Sequence, residues 1–190
     1  MAAQLQTHPL TPDRWPGLER LFRPNGANSG CWCMWWFQTN REFAEGHGEP
    51  NRQAFRERVL AGPPPGILAY AGDEPVGWCA LGPRQGYTRI HRSRTLKPVD
   101  DRPAWSIVCL FVKRDWRGRG VAAALVDAAT AFAAAHGATL VEAYPVDVVD
   151  GARARSGDIY TGTLALFEQA GFDEVARRSP RRPIVRRQLP

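Results

Sequence analysis

The chain has 190 residues, 44% hydrophobic and 23% charged, with a net charge of +6 at pH 7. That length and balance suit one globular domain over residues 1–190 with a substantial core, and they exclude a low-complexity or fibrous chain. No apolar run approaches the roughly 18–20 residues that span a bilayer, and the first residues lack a signal peptide's basic start and apolar stretch, so a cytoplasmic protein without a membrane partner is expected.

In chain order, a short strand is expected over residues 4–8. A helix follows, entered through Thr11 and Pro12, a good cap and first-turn pair, and it runs to about Phe22. The irregular loop after it holds Cys31-Trp32-Cys33-Met34-Trp35-Trp36-Phe37, an unusual density of large aromatics. Residues 51–60 read as a second helix, stopped by Gly62-Pro63-Pro64-Pro65-Gly66, which neither a helix nor a central strand tolerates. Residues 66–71 and 76–81 are short apolar segments joined by Gly72-Asp73-Glu74-Pro75, the pattern of a hairpin. Residues 82–101 form a polar, arginine-rich connection.

Residues 105–112 make the clearest strand, apolar at nearly every position as a strand covered on both faces should be. The helix expected over 118–136 carries Val121, Leu125, Ala128, Phe132 and Ala135 along one face, and Gly137 ends it. Residues 139–144 supply the next strand, so this part reads strand, crossover helix, strand, with parallel pairing. A last helix is expected over 160–170, and further strands over 173–178 and 184–188.

Between the strand at 105–112 and its helix lies Lys113-Arg114-Asp115-Trp116-Arg117-Gly118-Arg119-Gly120. The first turn of a helix has amide N–H groups with no intrahelical partner and carries the positive end of the helix dipole, so an anion fits there. Gly118 and Gly120 allow backbone conformations closed to other residues and let a phosphate approach the main chain, while Arg117 and Arg119 add charged donors. A Walker loop needs Gly-Lys-Ser/Thr, and a dinucleotide fold needs Gly-x-Gly-x-x-Gly with an acidic residue about 20 positions later. The chain has neither, which argues against ATP and NAD.

Arg117-Gly118-Arg119-Gly120-Val121-Ala122, following a strand that ends Leu110-Phe111-Val112, resembles the coenzyme A pyrophosphate loop of the GNAT superfamily of N-acetyltransferases. Leu164-Ala165-Leu166-Phe167-Glu168-Gln169-Ala170-Gly171-Phe172 is similar to the second signature of that family, and the two occur in the family's order. The tryptophan-rich loop, Leu96-Lys97-Pro98-Val99-Asp100-Asp101, Tyr144-Pro145-Val146-Asp147 and Tyr160-Thr161-Gly162-Thr163 together look like a bacterial subgroup of unassigned acceptor. The resemblance implies an α/β (α+β) GNAT fold: a mixed, twisted sheet of about six to seven strands with a splayed parallel central pair, flanked by about four helices. It also implies acetyl-CoA as acyl donor, held by Leu110, Phe111, Val112, Arg117, Gly118, Arg119, Gly120, Val121, Ala122 and Phe167. A homodimer is compatible with it.

Such an enzyme needs a neutral, aligned amine and, in the family, a base near the splayed strands and a tyrosine that protonates the departing thiolate. Here Phe167 stands where the last helix usually carries the tyrosine, and Cys109 stands at the usual acidic position. Three groups are candidates for the missing roles. Tyr160 is placed at the entrance of the last helix and is either a proton donor or a packing tyrosine. Glu142, the only carboxylate of its strand, is a base if it faces the cleft. Cys109 is either a covalent nucleophile, with no paired histidine identifiable, or a buried structural thiol.

The family's use of the first interhelical connection over the acceptor points to Trp32, Met34, Trp35 and Trp36, with Trp78 opposite, as an apolar pocket that excludes water, or else as a staple for the first two helices. Tyr87 and the arginines Arg84, Arg89, Arg92 and Arg94 either line another wall suited to an acidic group or belong to a solvated loop.

Cys31, Cys33, Cys79 and Cys109 are expected to be free thiols. Cys31-x-Cys33 is too short a spacing for zinc and has no second ligand pair, so no metal is expected. Arg177, Arg178, Arg181, Arg182, Arg186 and Arg187 crowd the end of the chain, but no helix-turn-helix or RNA-binding aromatic motif accompanies them, and nucleic acid is not an expected partner.

The combined expectation is an N-acetyltransferase that passes the acetyl group of acetyl-CoA to a primary amine of a small molecule by direct attack. Two alternatives stay open. One is transfer of another acyl or aminoacyl group in biosynthesis, and the other is a non-catalytic module that senses acyl-CoA or binds nucleic acid.

Overall fold

A computed structural model describes residues 4–22, 30–148, 157 and 159–190. Its strands are β1 (Leu5–Pro9), β2 (Gly66–Ala71), β3 (Glu74–Pro83), β4 (Trp105–Val112), β5 (Leu140–Ala143), β6 (Asp173–Arg177) and β7 (Pro183–Gln188). They form one seven-stranded sheet in the order β1-β2-β3-β4-β5-β7-β6, antiparallel throughout except for the parallel pair β4–β5. The helices among the described residues are α1 (Trp15–Phe22), α2 (Asn40–Glu45), α3 (Glu49–Ala61), α4 (Thr88–Arg92), α5 (Val121–Ala135) and α6 (Leu164–Gln169). No helix among the described residues is long and apolar enough to cross a membrane.

Each face of the sheet carries its own core. On one, Leu18 and Phe22 of α1, Phe55 and Val59 of α3 and the tryptophan-rich loop pack on Trp78, Val108 and Tyr144. On the other, Val121, Leu125 and Ala129 of α5 and Phe167 of α6 pack on Ile107, Val141 and Val185. Two apolar faces explain why β4 reads as a continuous apolar run.

The six helices exceed the four expected, the additional two being α2, of six residues, and α4, of five. α2 is set by a capping box: the Thr39 hydroxyl accepts from Glu42 N–H at 3.3 Å while Glu42 Oε2 accepts from Thr39 N–H at 2.7 Å. α4 lies within the stretch read as a polar, arginine-rich connection. α5 starts at Val121 and its buried stripe is Val121, Leu125, Val126, Ala129, Thr130 and Ala133, so Ala128 and Phe132 lie at the edge of the expected face and Ala135 is exposed. α6 begins at Leu164, which leaves Tyr160 in the turn before it rather than on the helix.

β4 departs from regular pairing twice. Ala80 pairs with Cys109 and Leu81 with Ile107, so Val108 is an extra, bulged residue. The bulge shifts the alternation by one, and Val108 and Cys109 both face the tryptophan-loop side while Ile107 and Leu110 face α5. β4 then parts from β5, since only Trp105–Ile107 pair with residues 141–143. The chain after β5 pairs elsewhere: Val146 N–H donates to Gly162 O and Leu164 N–H to Val146 O, both at 2.9 Å. Leu110 N–H, left without β5, donates to Tyr160 O at 2.6 Å. The segment that includes residues 159–164 thus sits as a wedge in the opening.

Below the opening lies a buried ionic network. Glu142, fully buried, accepts from Arg84 Nη1 at 3.1 Å, Arg186 Nε at 2.8 Å and the Tyr144 hydroxyl at 2.6 Å. Arg186 also reaches both oxygens of Asp100 at 2.6 and 3.0 Å. Burial works against the Arg186 charge, and the hydrogen bonds of Asp100 and Glu142 more than restore it, holding its pKa above the usual value. Glu142 is therefore a structural counter-ion rather than a base facing a cleft. Its oxygens are occupied by donors, and it does not reach any of the cavities described below.

The arginines near the end of the chain are likewise engaged. Arg177 pairs with Asp147 and Glu174, each at 2.6 Å. Arg178 donates to the carbonyls of Lys97 and Pro98, and Arg187 to Ala170 O at 2.8 Å.

Removing one partner of a buried ion pair strands the other's charge, which typically costs 3–5 kcal/mol. Glu142→Ala is expected to lower unfolding free energy by about 3 kcal/mol or more in urea titrations, and a loss under about 1 kcal/mol would remove the network as a determinant of stability.

Candidate active site

The first cavity, about 530 Å³, opens where β4 and β5 part. One wall is Leu110, Phe111 and Val112 of β4, and its floor is the glycine loop and the start of α5. Gly118 and Gly120 have φ of 72° and 78°, conformations that disfavour other residues, and a Cβ on either would project into open space. Gly120 caps α5 without any side-chain hydrogen bond to its first amides. A turn with these features leaves main-chain donors available to an anion. Arg117, Val121 and Ala122 also line this cavity, and Arg117 Nε donates to Val112 O at 3.2 Å. Arg119 does not line it, because its guanidinium lies over the Trp116 ring, 5.2 Å from the centroid. Phe167 does not line it either. That ring is fully buried beneath Gly162 and packs edge-on against Phe172 at 5.2 Å.

A second cavity, about 260 Å³, lies on the tryptophan-loop side and is lined by Cys31, Cys33, Trp35, Trp36, Phe43, His47, Cys109 and Tyr160. Cys109 and Tyr160 also line the first cavity, so these two side chains stand where the two meet. The bulge at Val108 puts Cys109 there, and the Leu110–Tyr160 hydrogen bond puts Tyr160 there. Burial raises the Tyr160 pKa, with Arg182 acting in the opposite sense. The phenol is accordingly protonated at neutral pH.

The other thiols are held protonated as well. Cys31 is pushed up to about 11, by burial first and then by the charge of Cys33. Cys33 is raised well above the usual thiol value, by its neighbour Cys109 first and by burial next, while the Trp78 indole N–H donates to its Sγ at 3.1 Å. Cys33 and Trp32 take left-handed backbone conformations, φ 58° and 45°, which are strained for residues with side chains and turn the loop sharply into its aromatic run.

A third cavity, about 390 Å³, adjoins Trp35, Trp36 and Tyr160; Leu96 adds to its apolar lining, and Gln38, Arg89, Arg92 and Arg182 are among its polar walls.

Of the expected acceptor contacts, Trp35 and Trp36 line cavities. Trp32, Met34 and Trp78 line none of these three. Trp32 stacks on Trp15 at 5.9 Å, Trp78 is wholly buried against Phe55, and Met34 is buried in the same core. Arg84 belongs to the ionic network, and Tyr87 is buried against Phe37. Sequence reasoning misses His47 and Gln38, and it places Arg182 only in the basic end of the chain. His47 shares a cavity with Cys109, where no histidine was identifiable from the sequence. A Thr-x-x-Glu box at Thr39 could have flagged the helix that carries the chain from the tryptophan loop to His47.

Residues 32–172 match the model of a family described as the acetyltransferase (GNAT) family. None of the curated proteins compared matches the chain. Among solved structures, an acetyltransferase from Thermus thermophilus is 21% identical with a TM-score of 0.51, covering 100% of both chains. The PaiA N-acetyltransferase of Thermoplasma acidophilum, solved in complex with coenzyme A, is 12% identical with a TM-score of 0.55, covering 98% of this chain and 99% of its own. A GNAT-family acetyltransferase from Streptococcus agalactiae is 12% identical with a TM-score of 0.58, covering 98% and 96%. At these identities the likeness is one of fold.

The thiolate is the reactive form of cysteine, so a pKa near 11 makes Cys31 slow toward alkylating reagents at neutral pH. Peptide mapping after brief iodoacetamide treatment should show its rate rising about tenfold per pH unit from pH 8 to 10. A rate that levels off by pH 9 would mean an ordinary thiol.

Proposed function

The chain belongs to the acetyltransferase (GNAT) family, and from that premise we propose that this acyltransferase passes the acetyl group of acetyl-CoA to a primary amine of a small molecule by direct attack. The observation that carries this reading is the shared wall. Tyr160 and Cys109 border both the cavity with the glycine loop and the apolar cavity beside it. A donor bound in the first and an amine entering through the second meet at those two side chains.

The residues fit the donor. The main-chain amides at Gly120 and the start of α5, with Arg117, would hold the pyrophosphate, and Leu110, Phe111 and Val112 would flank the arm that reaches toward Tyr160. In the transfer, the amine nitrogen adds to the thioester carbonyl, the carbon–sulfur bond breaks, and the thiolate takes the proton of the Tyr160 hydroxyl. The phenol regains a proton as the new amide nitrogen loses its surplus one to solvent at the rim, where His47 stands. The raised pKa of Tyr160 keeps that proton in place until a basic thiolate appears. Trp35, Trp36 and Phe43 exclude water that would otherwise compete with the amine.

Cys109 supports a different route, in which the acyl group first rests on its sulfur, and the two routes separate by mutation. Under direct attack, Tyr160→Phe lowers kcat by roughly 10²-fold, and Cys109→Ala lowers it by less than about tenfold. The reverse order would favour the acyl-cysteine. For the donor, acetyl-CoA at about 100 times Kd adds about 2.7 kcal/mol of stability and raises Tm by roughly 5–10 °C in a domain of this size. Gly120→Asp, which places a side chain and a negative charge in the turn, should abolish that rise. No rise with the unaltered protein would end the acetyl-CoA assignment.

A further inference from the structure

The polar cavity beside Tyr160 has an unusual charge balance. Arg89 and Arg182 line it, and neither has a carboxylate partner within ion-pair distance among the described residues. Among the described residues, no acidic side chain lines it. Arg92 also borders it, at the exposed rim, with Glu42 the acidic group in electrostatic reach.

Arg89 is held rather than loose. Its Nε donates to the Trp35 carbonyl, its Nη1 donates to Asn40 Oδ1 at 2.6 Å, and its guanidinium lies 3.4 Å from the Trp35 ring centroid. That leaves Nη2, which is buried and has no partner among the described residues. Trp36 and Gln38 line the same cavity, and the Trp36 indole N–H and Gln38 Oε1 are also buried and without a partner among the described residues. A buried polar group without a partner typically costs 1–3 kcal/mol, more when charged, so native structures rarely leave several around one cavity. An indole donor beside two guanidinium groups with no carboxylate partner among the described residues calls for an acceptor-rich, negatively charged group.

The place of this cavity connects it to the chemistry. Arg182 donates to Thr161 Oγ1, the neighbour of Tyr160, at 2.8 Å, and both Arg89 and Arg182 act electrostatically on Tyr160. The polar and apolar cavities share Trp35, Trp36 and Tyr160. A small molecule can thus lay an apolar body against the tryptophans and an anionic group against the arginines, within reach of Tyr160.

Building on the acyl-transfer reading above, we infer that the acceptor is a small amine bearing an anionic group, a carboxylate or a phosphate, bound by Arg89 and Arg182 with the Trp36 indole N–H. Gln38 Oε1 takes a hydrogen-bond donor from the same molecule.

The test uses probes that cannot be acetylated, so it does not depend on turnover. Tryptophan fluorescence titrations of the intact protein would compare 3-phenylpropanoate and phenyl phosphate with the neutral 3-phenylpropanamide. One or both anions should bind at least tenfold tighter than the amide, and which of them binds better distinguishes carboxylate from phosphate. Arg89→Gln should weaken the anion tenfold or more, leaving the amide and acetyl-CoA unchanged. Should Arg89→Gln fail to fold, Arg182→Gln takes its place, with the same selective loss against the amide. Equal binding of anion and amide, no binding of either anion, or a loss in the variant that is the same for charged and neutral probes would overturn the assignment. Acetyl-CoA binding is measured on the same samples. Its absence would instead discredit the donor reading.

Discussion

One backbone hydrogen bond organises the site: Leu110 N–H to the Tyr160 carbonyl. When β4 leaves β5 after Ile107, its next amides face a gap, and a buried amide without a partner is costly. The turn before α6 fills that gap, bonding β4 on one side through Tyr160 and the chain after β5 on the other through Gly162 and Leu164. The divergence that opens the cavity is therefore also what fixes the tyrosine inside it. A tyrosine on α6 itself would approach from the helix side of the sheet, where Phe167 is buried. Tyr160 reaches the junction through the wedge instead, so the absence of a helix tyrosine does not leave the site without a phenol.

The ionic network under the tryptophan-loop face has a related role. Arg84 joins Glu142 of β5 to the carbonyls of Asp100 and Arg102, and its own carbonyl lies 3.2 Å from His91 Nε2 on α4. Arg186 of β7 ties the same Glu142 to Asp100. The helix carrying Arg89 and Arg92 is thus anchored to the centre of the sheet by charged hydrogen bonds at its approach. Tyr144, whose hydroxyl donates to Glu142, stacks at 6.4 Å on Trp36, one of the walls shared by the polar and apolar cavities. Burial, with the Glu142 charge next, pushes the Tyr144 pKa well above the usual phenol value, so this link stays a neutral donor.

How much of this was legible in the sequence depended on whether local pattern alone decides the outcome. The strand, glycine turn and helix from Trp105 to Ala135 were readable because positive-φ turns and apolar runs are written locally. Which face a side chain takes was not. Val108 reads as one more apolar strand residue, yet its bulge sends Cys109 to the tryptophan-loop side. Glu142 looked like a cleft carboxylate because its arginine partners lie far away in sequence, at positions 84 and 186. The tryptophans of one loop split between core and cavity because two left-handed residues, Trp32 and Cys33, turn the chain sharply between them. The arginines near the end of the chain carried no motif that said what they bind, and most of those guanidinium groups bond to carbonyls and carboxylates of their own chain.

The apolar cavity poses a chemical problem that its walls answer. Three thiols, Cys31, Cys33 and Cys109, border the place proposed for a thioester, and a thiolate there would compete with the amine for the acyl group. The burial that raises the Tyr160 pKa also raises that of Cys31 and, after the contact with Cys109, that of Cys33, because a low-polarity environment disfavours their anions. One environment then has two consequences in the proposed reaction. The phenol keeps the proton that a departing thiolate needs, and these two neighbouring thiols keep theirs and stay poor nucleophiles. An amine, neutral when it attacks, carries no such penalty into the cavity. The aromatic loop can therefore select the kind of nucleophile without touching the reacting atoms, while the arginines next door select which amine arrives.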